Sequence, residues 1–233
     1  MQAMIFAAGL GTRLRPITDS KPKALVEVAG EPLLRHVLRK MEGMHIVVNV
    51  HHFADQIKQY LYDNDNFGMD ISISHESECL LDTGGGLKHA MPLFSKDSNI
   101  LIHNVDILSN VDLCEFYRMG NGNKATLLVS RRESSRYLVF DDNDCLIGWV
   151  NTKTGEIKGC ASGRRFAFSG IHTFSPLLFP YFEGFPDRFS IIDFYLSVCK
   201  DEKIKCCVMD DLRLLDVGKM DSLSAAENFL CLE

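Results

Sequence analysis

The sequence predicts a single α/β domain whose open, doubly wound sheet carries helices on both faces. Three apolar runs, at positions 3–8, 45–50 and 100–105, have the length and continuity of strands buried on both faces of a parallel sheet. Segments with apolar residues at helical spacing follow these runs, which is the alternation expected of an α/β fold. The chain has 233 residues, enough for one such domain with a sizeable core.

Composition and charge exclude several classes of protein. Hydrophobic residues make up 46% and charged residues 24%, as in ordinary globular proteins. The net charge of −6 argues against a nucleic-acid partner, because such proteins carry a basic face. We expect no membrane partner and no secretory leader, because no apolar run reaches membrane-spanning length and the first one ends at Gly9. The eight cysteines form no Cys-x-x-Cys pair, which favours free thiols and a cytoplasmic location.

The first strand, at positions 3–8, runs into a loop that contains Gly9 and Gly11. Four cations follow it: Arg13, Arg15, Lys21 and Lys23. Glycines let the backbone approach a bulky group, and their N–H groups can point at anionic oxygens. The loop therefore predicts a nucleotide-phosphate site, with a plain structural turn as the alternative. A dinucleotide-binding loop would need glycine where Leu14 stands, and the Gly-Lys-Ser/Thr of a P-loop is absent.

The next elements follow from the apolar spacing. Helices are predicted at 32–41 and 54–62, and strands at 45–50 and 69–74. The adjacent His51 and His52 point to opposite sides of a strand, so we assign them no metal. The three glycines at 84–86 predict a loop, with a helix beginning at Leu87. A flexible linker is the alternative for this loop, although an apolar pair and Asp-Thr directly before the glycines are unusual in linkers.

The strand at 100–105 ends in Asp106, at the edge where open α/β sheets bind ligands. A cap for the following turn is the alternative role for that aspartate. Asn110 is predicted to cap the next helix, at 111–119. The later predicted elements are strands at 125–131, 137–140, 145–150, 165–174, 204–209 and 212–215, a helix at 190–199 with Ser190 as its cap, and a final helix. The acidic run 141–144 is predicted to be a solvated turn, since it lacks the spacing of a calcium loop.

The motifs together resemble the sugar-1-phosphate nucleotidyltransferases along essentially the whole chain. The resemblance is carried by Gly9-Leu10-Gly11-Thr12-Arg13-Leu14-Arg15-Pro16 with Lys21-Pro22-Lys23, by Thr83-Gly84-Gly85-Gly86, by Asp106, by Phe168-Ser169-Gly170-Ile171 and by Asp216-Val217-Gly218. It implies a Rossmann-like, glycosyltransferase-A-like fold with a mostly parallel mixed sheet in one domain, 1–233. Within it, a nucleotide-binding part would span about 1–120 and a sugar-phosphate-binding part about 121–233. The most similar members are short forms, such as mannose-1-phosphate guanylyltransferases and N-acetylmuramate-1-phosphate uridylyltransferases.

The resemblance also implies a role for each candidate residue. The nucleotide contacts would be Ala8, Gly9, Leu10, Gly11, Thr12, Arg13, Glu76, Thr83, Gly84 and Gly85. Arg13 and Lys23 would be catalytic, Gly170 and Asp193 would contact the sugar phosphate, and Asp106 with Asp216 would hold Mg²⁺. From the residues alone, Asp193 fits equally well as a first-turn acid that the helix dipole favours.

Three positions depart from the family pattern. Val105 replaces the usual glycine before the metal aspartate, and Lys219 replaces the usual threonine after Gly218. The Glu-Lys pair whose lysine grips the sugar phosphate has no match in the stretch 148–153, so that lysine is not assigned. These departures leave the acceptor side of the site less determined than the nucleotide side.

The implied reaction joins a nucleoside triphosphate to a sugar 1-phosphate and releases pyrophosphate. Because two anions must meet in line, catalysis would consist mainly of positioning and charge neutralisation. The base and the sugar stay open, with GDP-mannose and UDP-N-acetylmuramate as candidate products. Two alternatives stay open as well: a cytidylyltransferase acting on an alcohol phosphate such as phosphocholine, and a catalytically silent nucleotide-binding regulatory protein.

Overall fold

The computed structural model describes residues 1–231 and consists of a ten-stranded mixed sheet with helices on both faces. The strands are β1 (Gln2–Phe6), β2 (Glu27–Val28), β3 (Glu31–Pro32), β4 (His45–Val50), β5 (Ile71–His75), β6 (Ile100–Asn104), β7 (Ile107–Ser109), β8 (Ala125–Ser130), β9 (Arg136–Phe140), β10 (Leu146–Asn151), β11 (Ile157–Gly159), β12 (Arg164–Phe174), β13 (Ile204–Val208) and β14 (Leu214–Asp216). The helices are α1 (Leu33–Arg39), α2 (Ala54–Asp63), α3 (Asp82–Ala90), α4 (Leu113–Met119), α5 (Ile191–Val198) and α6 (Met220–Leu230). None of these helices combines the length and apolar character required to cross a membrane.

One sheet runs through both halves of the chain, and this confirms the predicted mixed α/β fold. Strands β5, β4, β1 and β6 pair in parallel, and β12 joins β6 in antiparallel orientation. Beyond β12, the sheet continues through β9, β10 and β11, while β8 and β13 pair on a branch from β12. A separate short ladder joins β7 to β14. Strand β12 therefore links the parallel half to the antiparallel half.

Both faces of the sheet are buried, as the continuous apolar strands predict. Ala3 and Ile5 of β1 pack in the cluster that includes α1, α2 and α4, whereas Met4 packs on the opposite face. That opposite cluster holds α3, α5 and a group of phenylalanine rings, including Phe174, Phe182 and Phe194. A third, smaller cluster lies beneath α6.

Most predicted elements are present with ends that differ by one to three residues, but the cap of α4 differs. This helix begins at Leu113, and the Asp112 side chain accepts a hydrogen bond from the N–H of Glu115 at 2.9 Å. Asn110 instead accepts from the backbone N–H of Arg213 at 2.8 Å, because the β7–β14 ladder continues to this point. The predicted Ser190 cap of α5 is confirmed by its bond from the N–H of Ile192 at 3.2 Å.

The prediction of a loop at the three glycines is wrong, since α3 begins at Asp82 and contains all of them. The reason is that a segment distant in sequence packs closely against this helix. A Cβ on Gly84 would overlap the ring of Phe189, and a Cβ on Gly85 would overlap the carbonyl of Asp187. We call residues 185–190 the strap, because this segment lies across the first turn of α3. The glycines therefore permit close packing of the strap on the helix.

Candidate active site

A cavity of about 430 Å³ lies at the carboxyl end of β1, over the glycine turn. The turn residues predicted to bind nucleotide all line it: Ala8, Gly9, Leu10, Gly11, Thr12 and Arg13. Lys23, Thr83 and Asp106 line the same cavity. Around the position that a Cβ would take on Gly9 there is nothing within 4 Å, so the turn leaves open space for a ligand. These residues thus meet as the motif predicts.

Gly11 is required by the conformation of the turn. Its φ of 65° is left-handed, and a Cβ there would stand 2.9 Å from Cγ2 of Thr18. The hydroxyl of Thr18 donates to the carbonyl of Gly11 at 2.8 Å, and the N–H of Leu14 donates to the same carbonyl at 2.9 Å. The turn is therefore fixed before any ligand arrives.

A buried polar network connects this turn with the start of α3. The Oδ1 of Asn49 accepts from the N–H of Ala7 at 2.7 Å, and its Nδ2 donates to Oε1 of Glu76 at 2.7 Å. The other carboxylate oxygen of Glu76 accepts from the N–H of Leu81 at 2.9 Å. Glu76 is only 2% exposed and does not line the first cavity. Glu76 thus holds the segment before α3 and lines a separate cavity with Gly85, while its expected base contact stays a prediction.

The strap occupies the N-terminus of α3, and this corrects two expected contacts. The N–H groups of Gly84 and Gly85 donate to the carbonyl of Phe189 at 2.9 and 3.2 Å, so they serve the strap and are not directed at a base or ribose. Thr83 does line the first cavity, while its hydroxyl accepts from the N–H of Ile191 at 2.9 Å. The strap also brings Arg188 to the cavity wall.

The two predicted metal ligands are held together by the β7–β14 ladder. Asp216 pairs in register with Ile107, the residue after Asp106, and the N–H of Val217 donates to the carbonyl of Asp106 at 2.8 Å. The ammonium of Lys23 forms an ion pair with the carboxylate of Asp106. The guanidinium of Arg13 lies against Gly218, beside the carboxylate of Asp216. Residues far apart in sequence thus form one charged centre.

Electrostatics at this centre favour a cation. Burial raises the pKa of the Asp216 carboxyl, and the negative charge of Asp106 raises it further. The cations that lower that pKa are Lys23, Arg13 and Arg132. Two carboxylates that repel each other, with open cavity beside them, offer the hard oxygen ligands that suit Mg²⁺ when substrate oxygens and water complete the shell. Within residues 1–231 there is no cluster of three or more His, Cys, Asp or Glu, so a metal held by protein ligands alone does not fit.

A second cavity, of about 720 Å³, lies on the other side of Arg13 and Asp216. Leu138, Trp149 and Lys158, on neighbouring strands β9, β10 and β11, form its floor. The start of α5 forms a wall, where Asp193 accepts a hydrogen bond from Lys158 at 2.7 Å. Asp193 thus lines this cavity, and its contact with a sugar phosphate stays a prediction.

Gly170 lies elsewhere, and the expectation that it contacts the sugar is corrected. It is buried with a φ of 82°, and a Cβ on it would stand 2.6 Å from the amide nitrogen of Asn104. Asn104 lines the first cavity, whereas Gly170 lines neither cavity. The glycine therefore allows β12 to bulge past Asn104.

Sequence reasoning missed several residues of the second cavity. Arg132 lines it from the segment between β8 and β9, Arg136 lines it from the first position of β9, and the single tryptophan, Trp149, lies on its floor. The basic residues directly after a predicted strand were a usable signal, because ligand-binding groups collect at strand ends. Trp149 gave no signal, since its apolar strand predicts burial.

Comparison with known proteins gives a consistent result. The family model described as nucleotidyl transferase matches residues 2–233. N-acetylmuramate alpha-1-phosphate uridylyltransferase from Neisseria meningitidis is 33% identical over 192 residues, covering 79% of each chain. The Caulobacter vibrioides protein of the same name is 45% identical over 109 residues, 45% of each chain. Mannose-1-phosphate guanyltransferase from Gibberella zeae is 35% identical over 146 residues, 59% of this chain and 40% of that one.

Solved structures give the same fold at low sequence identity. The inositol-1-phosphate CTP transferase from T. maritima superposes with a TM-score of 0.79 at 14% identity, covering 97% of this chain and 93% of that one. The alignments with the Caulobacter and Gibberella proteins span less than half of those relatives' length, whereas the family match runs through nearly the whole chain. The chain therefore belongs to the nucleotidyl transferase family.

Proposed function

We propose that this protein transfers the uridylyl group of UTP to N-acetylmuramate 1-phosphate, with Mg²⁺, and releases pyrophosphate. The observation that carries the proposal is the position of Arg13 and of the Asp106–Asp216 pair. Arg13 lines both cavities, Asp106 lines the first, and Asp216, which the β7–β14 ladder holds beside Asp106, lines the second. A triphosphate in the first cavity and a phosphate monoester in the second would meet at this point.

The residues around that point suit a transfer between two anions. The glycine turn would hold the triphosphate through its backbone N–H groups. Lys23, which is 7% exposed and lines the first cavity, would bind the transferred phosphoryl group. Arg13 would neutralise the departing pyrophosphate. Mg²⁺, when held by Asp106 and Asp216, supplies further neutralisation of phosphate charge.

The choice of acceptor is supported by how the chain matches its relatives. Two of the similar relatives are named N-acetylmuramate alpha-1-phosphate uridylyltransferase, and the Neisseria alignment covers 79% of each chain. The match to the mannose-1-phosphate guanyltransferase from Gibberella zeae covers only 40% of that relative. A catalytically silent regulatory protein is disfavoured, because Arg13, Lys23, Asp106 and Asp216 are all present and close together.

The test is pyrophosphate release from UTP and N-acetylmuramate 1-phosphate in the presence of Mg²⁺. We expect turnover with this pair to exceed that with GTP and mannose 1-phosphate or with CTP and phosphocholine. Asp106→Asn and Asp216→Asn should each lower kcat by about 100-fold or more, because each removes a charge at the reacting centre. Asp142→Asn, in the exposed turn between β9 and β10, is the control and should keep wild-type activity. Wild-type activity of either site variant would overturn the metal assignment, and a preference for another substrate pair would overturn the choice of acceptor.

A further inference from the structure

The cations that line the second cavity outnumber the acids that line it. The cations that line it are Arg13, Arg132, Arg136, Lys158 and Lys219. The acids that line it are Glu156, Asp193 and Asp216. This local excess of cations stands out in a chain whose net charge is −6. An anionic acceptor would match it, and the surroundings of each cation show which of them remain available to that acceptor.

The cations at the end of the cavity near Asp216 already have a role in the proposed reaction. Arg13 and Arg132 both act electrostatically on Asp216, so they lie at the metal end of the cavity. Arg132 is further held there by a bond from its Nη2 to the carbonyl of Phe168 at 2.9 Å. Under the proposed function, the phosphate of the acceptor lies at this end. Arg132 thus lies where the phosphate of the acceptor would need a cation.

On the floor of the cavity, the charge of Lys158 is balanced. Its ammonium lies 2.7 Å from the carboxylate of Asp193 and 3.8 Å from that of Glu156. It also lies over the ring of Trp149, 5.4 Å from the centroid. The hydrogen bond to Asp193 raises the pKa of Lys158, so the pair is stable as an ion pair. Lys158 therefore contributes little unbalanced charge.

Arg136 is different. It is the first residue of β9 and pairs in register with Asn151 of β10, which also lines the cavity. Its backbone N–H donates to the hydroxyl of Ser134 at 3.1 Å, which fixes the start of the strand. Its exposed guanidinium forms no hydrogen bond or ion pair with any residue between 1 and 231. Leu138, two residues along, faces the same side, so Arg136 stands at the border of an apolar floor.

We propose that the acceptor carries a carboxylate in addition to its 1-phosphate, and that Arg136 binds this carboxylate. The inference rests on the proposed function, since it requires a sugar-phosphate acceptor in this cavity. A guanidinium presents two parallel N–H donors that match the two oxygens of a carboxylate. Leu138 and Trp149 supply apolar surface for the sugar between its two anionic ends. The cavity would thus select a sugar that carries an acid group at the end opposite to its phosphate.

The experiment compares acceptors that differ by one carboxylate. The pairs are N-acetylmuramate 1-phosphate against N-acetylglucosamine 1-phosphate, and glucuronate 1-phosphate against glucose 1-phosphate. Wild-type protein should prefer the carboxylate-bearing member of at least one pair by about tenfold or more in kcat/KM, as one charge-assisted contact allows. Arg136→Gln should reduce that ratio about tenfold, mainly through KM, and Arg136→Lys should restore part of it. Arg165→Gln is the control, because the guanidinium of that exposed arginine of β12 donates to the carbonyl of Ala161 and does not line the cavity.

The outcomes separate this inference from the proposed function. Turnover of N-acetylmuramate 1-phosphate with an unchanged ratio in Arg136→Gln would overturn the inference and leave the proposed function standing. A preference for glucuronate 1-phosphate, lost in Arg136→Gln, would support the inference and overturn the proposed acceptor. Equal loss on both members of each pair would place Arg136 at the phosphate or in the fold, and so overturn the inference. Equal binding of both members to wild-type protein, measured by calorimetry, would overturn it without any turnover.

Discussion

At the residue scale, Asn49 and Glu76 show how one side-chain pair sets the shape of a binding site. Asn49 holds the end of β1 through Ala7, and Glu76 holds the segment before α3 through Leu81. The two side chains join each other at 2.7 Å inside the protein. A Cβ on Gly86 would stand 2.7 Å from Glu76 and 2.8 Å from Asn49, so this glycine gives the pair its room. Two walls of the first cavity are thereby fixed to one buried contact.

We expect Glu76→Gln to destabilise the protein and to weaken nucleotide binding. The two oxygens of Glu76 accept hydrogen bonds from the side-chain amide of Asn49 and the N–H of Leu81. In glutamine, an NH₂ group replaces one of these oxygens, so one of the two donors loses its acceptor. A buried donor left unpaired costs about 1–3 kcal/mol. Chemical denaturation measures the loss of stability, and calorimetry with UTP measures the loss of affinity. The matched control is Glu78→Gln. The Glu78 side chain is exposed, so this substitution should leave stability and UTP affinity unchanged. Equal stability of Glu76→Gln and wild type would contradict this network.

At the element scale, α3 and the strap form one unit. The strap supplies the carbonyl that accepts from the first N–H groups of the helix, and the glycines supply the space that the strap needs. Helix propensity alone disfavours three glycines in a helix. Packing against a segment a hundred residues away reverses that preference, which is why reasoning from local sequence predicted a loop.

We expect Gly85→Ala to destabilise the protein, although alanine is the better helix former. The added methyl group would overlap the carbonyl of Asp187, and overpacking typically costs about 1–3 kcal/mol. The variant should melt at lower temperature and bind both substrates more weakly, because the strap carries Arg188 at one cavity and Ser190 at the other. Gly184→Ala is the control, since a Cβ there meets nothing within 4 Å. A melting temperature of Gly85→Ala at or above that of wild type would rule out this packing.

At the scale of the whole molecule, two buried histidines make the free energy of unfolding depend on pH. Burial lowers the pKa of His172 to about 3 and that of His103 to about 4, from 6.5. The unfolded chain binds protons at pH 6.5 and below, whereas the folded protein does not until pH 3–4. The contribution of these groups is therefore present above pH 6.5 and is lost as the pH falls, at up to about 1.4 kcal/mol per pH unit for each histidine.

We expect His172→Leu to flatten this dependence between pH 6 and pH 4. Neither ring nitrogen of His172 has a hydrogen-bond partner among the described residues, so an apolar replacement leaves no donor unpaired. The free energy of unfolding, measured by denaturant at several pH values, should fall less steeply in the variant than in wild type. His52→Gln, which changes an exposed histidine, should keep the wild-type slope. A variant slope equal to that of wild type would show that His172 is protonated in the folded protein.

The sequence alone was sufficient to predict those parts of the structure that local interactions determine. The buried strand β4 has the predicted ends, because its apolar residues Ile46, Val47, Val48 and Val50 favour a strand buried on both faces. The Gly11 turn and the position of Asp106 at a strand end were likewise predictable, since each lies directly after an apolar strand, whereas Asp216 was identified through the family resemblance. Contacts between distant segments were not predictable. Gly170 makes room for Asn104, Gly85 makes room for the carbonyl of Asp187, and Glu76 accepts a hydrogen bond from Asn49. No local sequence pattern predicts these partners.

The β7–β14 ladder also has a consequence for protein synthesis. Strand β14 brings Asp216 to Asp106 only when the last part of the chain has emerged and paired with β7. The strands around the glycine turn, β1, β4, β5 and β6, are all made much earlier. A chain still attached to the ribosome can therefore form the parallel strands that flank the turn while it lacks one of the two acids. Competence for chemistry would then arise only after β14 has been made and has paired with β7.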